Sequence, residues 1–245
     1  MDICMMVYWG QPNNDMLETA LKTFRKVSNA HLQVYSDNND KELIDYWQRE
    51  YGCEVVVLES DLIEGQRCYR KMKCVSESLD KLNEDDRLIV SDVDVYFLDD
   101  PFSAFDKCDF EIGVTRRFHP YRIPINAGLF FIRPTAQSRQ LFGEGFEQYA
   151  ENNPDTRDWF VDQDYLNCLW EWGYAIDVGW EYNFCPNTDI FGVKLAAGLI
   201  RRAYESRSVK VLHLKSQLKN CIYSEYMVDV VRKRPTGEWN WYQKG

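Results

Sequence analysis

From Ile3 to Ser91 the chain alternates short apolar runs with amphipathic helical segments, which restricts it to a small set of layered α/β folds. Ile3 to Tyr8 is a continuous apolar run, the pattern of a strand buried on both faces of a parallel sheet. After the turn Gly10-Gln11-Pro12-Asn13-Asn14, residues Leu17, Leu21, Phe24 and Val27 recur at helical spacing, with Asn14 or Asp15 as cap. Leu32 to Tyr35 reads as a second strand. Asp40 to Tyr51 reads as a second helix with Leu43, Ile44 and Trp47 inward and Gly52 as its stop. Glu54 to Leu58 is a third strand, Cys68 to Leu82 a third helix and Arg87 to Ser91 a fourth strand. This succession implies right-handed β-α-β units and a mainly parallel central sheet flanked by helices, a Rossmann-like α/β class. Ligands of such sheets lie beyond the carboxyl ends of the strands, so Tyr8, Ser36 and Asp92 are expected to converge on one crevice.

The second half is less regular. Phe110 to Val114 and Gly128 to Ile132 read as strands, and Gln137 to Tyr149 and Asp162 to Trp172 as helices. Between Gly173 and Val209 the sequence is aromatic-rich and poorly periodic, which suggests an irregular acceptor-side region, followed by a last strand from Val209 to Leu212. Residues 1–234 are expected to form one domain and residues 235–245 a loosely held tail.

Bulk properties narrow the function classes. A formal net charge of -10 and a pI of about 4.9 disfavour nucleic acid and anionic membrane surfaces as partners. A small anionic ligand would need a cation or a local basic cluster. The N-terminus has no basic region ahead of its short apolar run, and no stretch reaches membrane-spanning length, so a cytoplasmic protein is expected. The eight cysteines are scattered without a C-x-x-C pair, so they read as reduced thiols, and a zinc site is not indicated.

Four segments carry candidate chemistry. In Leu88-Ile89-Val90-Ser91-Asp92-Val93-Asp94, two carboxylates end an apolar strand, and at a period of two both point the same way. Such a pair is costly beside a buried strand unless partnered, and it suits a hard divalent cation that also holds phosphates. In Pro124-Ile125-Asn126-Ala127-Gly128-Leu129, an amide and a glycine precede an apolar strand; the glycine permits close backbone approach and the amide can meet hydroxyls. Read alone, this segment is equally a turn before a core strand. In Val161-Asp162-Gln163-Asp164-Tyr165-Leu166-Asn167, Asp162 reads as an N-cap or first-turn acid ahead of a buried stripe. In Val211-Leu212-His213 through Lys219, a histidine at a strand end either completes a metal site or is a satisfied structural residue.

Taken in order, these segments resemble the retaining glycosyltransferases of family 8, which include glycogenin and bacterial lipopolysaccharide galactosyltransferases. That family shows D-x-D, N-[AS]-G, D-Q-D-x-L-N and H-x-x-G-x-x-K. Here the counterparts are Asp92-Val93-Asp94, Asn126-Ala127-Gly128, Asp162 to Asn167, and His213 with Lys219. The run from Asp92 to Pro101 is also similar to the family 77 enzymes. The resemblance implies a GT-A fold, a nucleoside-diphosphate sugar donor, usually UDP-linked, and Mn²⁺ or Mg²⁺. It implies that Asp92, Asp94 and His213 hold the metal and Lys219 the diphosphate. Asn126 and Asp162 would meet sugar hydroxyls, Gln163 would sit beside the anomeric carbon, and Val7 and Tyr8 would flank the base. Tyr69-Arg70-Lys71-Met72 places Lys71 where the family has an arginine near the donor, and Ser216 stands where it has a glycine. Asp92, Val93, Asp94 and Gly128 would line the donor.

No strongly nucleophilic residue is evident on the donor side, so retention would proceed by front-face attack, with the donor's phosphate oxygen taking the acceptor proton. A sugar nucleotidyltransferase is disfavoured because Tyr8-Trp9-Gly10-Gln11-Pro12 lacks a glycine-rich loop with a lysine. An inactive, metal-dependent sugar-nucleotide binder is a further alternative. The acceptor, whether saccharide, lipid-linked or protein, is not encoded in these motifs. Arg116-Arg117-Phe118-His119-Pro120-Tyr121-Arg122 reads as a solvated basic loop, with contact to an anionic acceptor or to donor phosphates as the alternative.

Overall fold

A computed structural model describes residues 1–9, 14–58, 66–117, 123–154, 160–186, 188–214 and 218. The Gly10–Asn13 turn, the Asn14 and Asp15 side chains, residues 118–122, Ser216, Lys219 and the expected 235–245 tail lie outside the described residues and side chains.

The first half follows the alternation. Strand β1 (Asp2–Tyr8) is followed by helix α1 (Asn14–Val27), β2 (His31–Ser36), α2 (Lys41–Tyr51), β3 (Glu54–Val57), α3 (Arg67–Leu79) and β4 (Arg87–Ser91). Helix α2 starts one residue later than expected because Asp40 caps it: Asp40 Oδ1 accepts from the Glu42 and Leu43 N–H groups at 3.0 and 3.2 Å. It stops at Gly52, whose φ of 59° is the left-handed conformation that glycine enters without steric cost. Along β1 the side chains alternate between two cores. Ile3, Met5 and Val7 pack with α3 residues such as Met72 and Val75, while Cys4, Met6 and Tyr8 pack with Leu17, Leu21 and Phe24 of α1 and Trp47 of α2.

The second half contributes β5 (Val95–Phe97), α4 (Ser103–Lys107), β6 (Ile112–Val114) and β7 (Leu129–Ile132). Then come α5 (Ala136–Gln140), α6 (Phe146–Asn152), α7 (Val161–Glu171), β8 (Ala175–Asp177), α8 (Thr188–Ser206) and β9 (Val211–His213). The single helix expected from Gln137 to Tyr149 is broken at Gly143, whose φ and ψ of -86° and -106° are not helical. A larger correction concerns Gly173 to Val209, which holds α8 rather than an irregular stretch. Among its described side chains the buried ones are Ala196, Ala197, Ile200 and Ala203, mostly alanines that give little apolar contrast. Gly192, at φ 69°, interrupts the helix and further blurs the period.

The main sheet runs in the order β3-β2-β1-β4-β7-β6-β8. All adjacent pairs are parallel except β4–β7 and β6–β7, so β7 alone runs against the rest. That reversal positions the site. Leu129, the first residue of β7, pairs with Ser91, the last of β4, so the residues just before β7 stand beside those just after β4. A small ribbon of β5 and β9, pairing Val95 with His213, brings the chain's late segment to the same place. Among the described residues no helix is long and apolar enough to cross a membrane, and none of the seven described cysteines forms a disulfide.

Candidate functional site

Asp92 and Asp94 lie in the short connection between β4 and β5, not on a strand, so a bend rather than strand period brings their carboxylates together. The Asp92 N–H donates to Gly128 O at 2.9 Å, and the Leu214 N–H donates to Asp94 O at 2.9 Å. These two backbone bonds tie the acidic turn to the segments entering β7 and leaving β9. Asp94 is buried and Asp92 half-buried, while Val93 between them packs partly into the core. Ligand atoms of Asp92, Asp94 and His213 all lie within 4.8 Å of one another, the one such group among the described residues.

His213 is fully buried, and three side chains orient its ring. Nε2 stands 3.0 Å from Asp94 Oδ1. On the other side Nδ1 stands 3.0 Å from Asn183 Oδ1 and 3.3 Å from Asn126 Nδ2. Asn183 Nδ2 donates to Thr115 Oγ1 at 2.8 Å and to the Asn126 carbonyl at 3.4 Å, which turns its oxygen to the ring. Asn126 Oδ1 accepts from the Gly128 N–H at 3.1 Å, which turns its amide nitrogen to the ring. The shorter contact, to Asn183, goes with a proton on Nδ1. Nε2 then presents its lone pair on the side of the carboxylates, the tautomer that suits a metal ligand.

At Gly128 the His213 ring occupies the space a side chain would take. A Cβ at this position would fall 1.9 Å from His213 Cε1 and 2.3 Å from Nδ1. The requirement is steric, since Gly128 is not among the residues of positive φ.

Lys71 is buried in α3, and its three ammonium hydrogens meet three acceptors: Ala127 O at 2.7 Å, Asp92 Oδ1 at 2.8 Å and Asp162 Oδ2 at 3.2 Å. Burial pulls its pKa down, but the charges of Asp92 and Asp162 outweigh that and hold the ammonium above its ordinary value. In the structure Lys71 ties the acidic turn to the Asn-Ala-Gly segment and to α7. An ammonium's separately directed donors suit three such acceptors, where a planar guanidinium fork suits one carboxylate.

Asp162 does not cap α7. The helix begins at Val161 after Phe160, and Asp162 Oδ1 accepts from the Gln163 N–H at 2.8 Å while its other oxygen meets Lys71. Gln163 is buried, and its side-chain Nε2 has no hydrogen-bond partner among the described residues. Burial, then the charge of Asp162, raises the Asp164 carboxyl above the usual range. Asn126 is fully buried, with its amide facing Gly128 and His213 rather than an open crevice. Val7 and Tyr8 are both buried, and the Tyr8 ring packs edge-on against Trp47 at 5.8 Å. The structure thus brings Lys71, Asp92, Asp94, Asn126, Gly128, Asp162 and His213 into one connected cluster and leaves Val7 and Tyr8 in the core. Lys219 lies outside the described residues. Asn183 and Thr115 were missed, because a single asparagine in an aromatic-rich stretch carries no spacing signal.

Comparison with solved structures places this arrangement. The galactosyltransferase LgtC, in complex with donor and acceptor sugar analogues, aligns with a TM-score of 0.62 at 17% identity, over 98% of this chain and 99% of its own. Glycosyltransferase GlyE of Streptococcus pneumoniae TIGR4 aligns with a TM-score of 0.65 at 14% identity, over 94% of this chain. The chain spans 62% of the length of GlyE. Mouse xyloside xylosyltransferase 1 aligns at 0.56 and 13% identity, over 87% of this chain and 97% of its own. These likenesses establish the GT-A fold. No curated protein matches by sequence. A family model for nucleotide-diphospho-sugar transferases matches residues 78–213, more than half of the chain and the part that holds both aspartates, the Asn-Ala-Gly segment, Asp162, Gln163 and His213. The chain therefore belongs to the nucleotide-diphospho-sugar transferase family, a family of glycosyltransferases.

Proposed function

We propose that the protein moves a sugar from a nucleoside-diphosphate donor, UDP-linked, to an acceptor hydroxyl with retention of configuration, using Mn²⁺ or Mg²⁺ held by Asp92, Asp94 and His213. The observation that carries this reading is the convergence of those three side chains within 4.8 Å at the carboxyl end of β4. The donor set fits a cation. Nε2 of His213 and Oδ1 of Asp94, with Nδ1 protonated, are two acceptors 3.0 Å apart, an arrangement a shared cation relieves. Two carboxylates with one imidazole suit Mn²⁺ better than the all-oxygen cages typical of Ca²⁺. When bound, the metal supplies Lewis-acid stabilisation of the departing diphosphate.

The chain's own residues account for the rest. Lys71 holds Asp92 and Asp162 in fixed positions by its bonds to both. Asp162 is engaged by Lys71 and by the Gln163 N–H, which makes its carboxylate a poor nucleophile and favours front-face transfer. In that transfer the acceptor oxygen bonds to the anomeric carbon as the bond to the donor phosphate breaks, and the phosphate oxygen takes the acceptor proton. Gln163 brings a buried amide nitrogen free to donate to the donor or the transferring sugar. Lys219, by its motif position, supplies counter-charge to the diphosphate.

A thermal-shift screen of nucleotide sugars with and without Mn²⁺ tests the reading. A UDP-sugar should raise the melting temperature with Mn²⁺ and not with EDTA, and Asp94→Asn should abolish the response. No donor response with metal would remove the basis for the proposal. Product NMR tests retention, which an inverted anomer would exclude.

A further inference from the structure

One side chain away from His213 lies a cleft of about 220 Å³, whose described lining includes Arg116, Trp180, Asn183, Phe184, Phe191 and Leu199. We infer that this cleft is an acceptor subsite for a single aromatic ring, an aryl group carried by the molecule whose hydroxyl receives the sugar. The inference rests on the transferase reading above and names its acceptor class.

Position ties the cleft to the chemistry. Three segments build it: Arg116 just after β6, Trp180, Asn183 and Phe184 between β8 and α8, and Phe191 and Leu199 on α8 itself. Asn183 meets His213 Nδ1 at 3.0 Å, while Nε2 of the same imidazole faces Asp94. One amide and one imidazole therefore separate the cleft from the carboxylates of the candidate metal site. Size limits the occupant. An apolar cavity of roughly 150 Å³ holds benzene, whereas pockets for drug-sized ligands run to roughly 300–1,000 Å³. At about 220 Å³ the cleft takes one substituted six-membered ring and not a sugar nucleotide.

The lining states the ligand chemistry. Apart from the Cys185 thiol, its described polar side chains are Arg116, Arg117 and Asn183, and all three are engaged with the protein. Asn183 Nδ2 donates to Thr115 Oγ1 and to the Asn126 carbonyl, and its Oδ1 faces His213. Arg117 Nε donates to Ile123 O at 3.0 Å. Arg116 lays its guanidinium over the Trp170 ring at 5.0 Å. A pyranose ring would bring several hydroxyls into these surroundings, and each hydroxyl that gives up water without a new partner lowers affinity. An aryl ring brings none. Trp180 is 52% exposed and meets Phe184 edge-on at 5.5 Å, so it offers ring surface to a third aromatic. Aromatic pairs gain from their quadrupoles beyond the area they bury, which sets an aryl group above an alkyl one of equal size.

The test is titration of the full chain, with UDP and Mn²⁺ present, by methyl, cyclohexyl and phenyl β-D-glucoside. Phenyl glucoside should bind about tenfold more tightly than methyl glucoside, the effect of burying most of one ring. It should also bind about threefold more tightly than cyclohexyl glucoside, the share that belongs to aromatic pairing. Trp180→Ala removes an exposed side chain and Leu199→Trp fills the cleft; each should bring phenyl and methyl glucoside to within about twofold of one another. Equal or absent binding of phenyl and methyl glucoside, or a phenyl advantage that survives both variants, overturns the subsite when UDP–Mn²⁺ binding is intact. Cyclohexyl glucoside binding as tightly as phenyl overturns the aromatic assignment. Absence of UDP–Mn²⁺ binding in the unmodified protein overturns the transferase reading instead.

Discussion

Replacing Gly128 by alanine adds one methyl group at the most crowded point of the site. Its Cβ would stand 1.9, 2.3 and 3.0 Å from Cε1, Nδ1 and Nε2 of His213, three atoms of one rigid ring. The ring cannot slide away cheaply, because it is fully buried with Asn183 on one side and Asp94 on the other. Forcing an extra carbon into a packed interior costs about 1–3 kcal/mol. Displacing the ring from Asn183 leaves a buried amide oxygen without its donor, which costs about another 1–3 kcal/mol. Together these predict a loss of about 2–6 kcal/mol, a fall in melting temperature of about 4–24 °C for a domain of this size. Mn²⁺ affinity should fall about 10–100-fold, as when a ligand's supporting contacts are lost. The control is a double-mutant cycle with His213→Ala, measured by urea denaturation. With the imidazole gone the methyl has room, so Gly128→Ala should cost little in that background, giving a coupling of about 2 kcal/mol. An equal cost in both backgrounds, or no cost in the parent, would refute the steric argument.

Asn183→Ala should weaken Mn²⁺ binding about 10–100-fold, measured by electron paramagnetic resonance, while Asn183→Asp, which keeps an acceptor facing Nδ1, should recover most of it. An equal loss in both variants would separate Asn183 from His213 orientation. Lys71→Met should destabilise the protein by about 3 kcal/mol in urea denaturation, mostly through Asp162, since Asp92 is half-exposed and solvent screens it. A change below about 1 kcal/mol would show that the carboxylates do not depend on that ammonium.

The parallel half of the sheet was legible because its signals are local. A buried strand, an amphipathic helix and the Gly52 stop each depend on residues a few positions apart, and each stands where the pattern put it. The members of the candidate triad, Asp92, Asp94 and His213, could also be picked out by their order along the chain, through the resemblance of its motifs. What joins the triad was not. Gly128 comes beside Asp92 because β7 runs against β4, and His213 comes beside Asp94 because β9 pairs with β5, contacts between segments far apart in sequence. Helix α8 was hidden by an alanine face with little apolar contrast and a break at Gly192. The role of Lys71 likewise needed three acceptors from three separate segments, and that of Asn183 needed the ring it orients. From its sequence alone the protein specified its described strands other than the short β5 and β8, most of its helices and the residue types of its candidate site. Tertiary structure alone decided which backbone, amide and ammonium hold them, because strand pairing and burial act between residues that no local period relates.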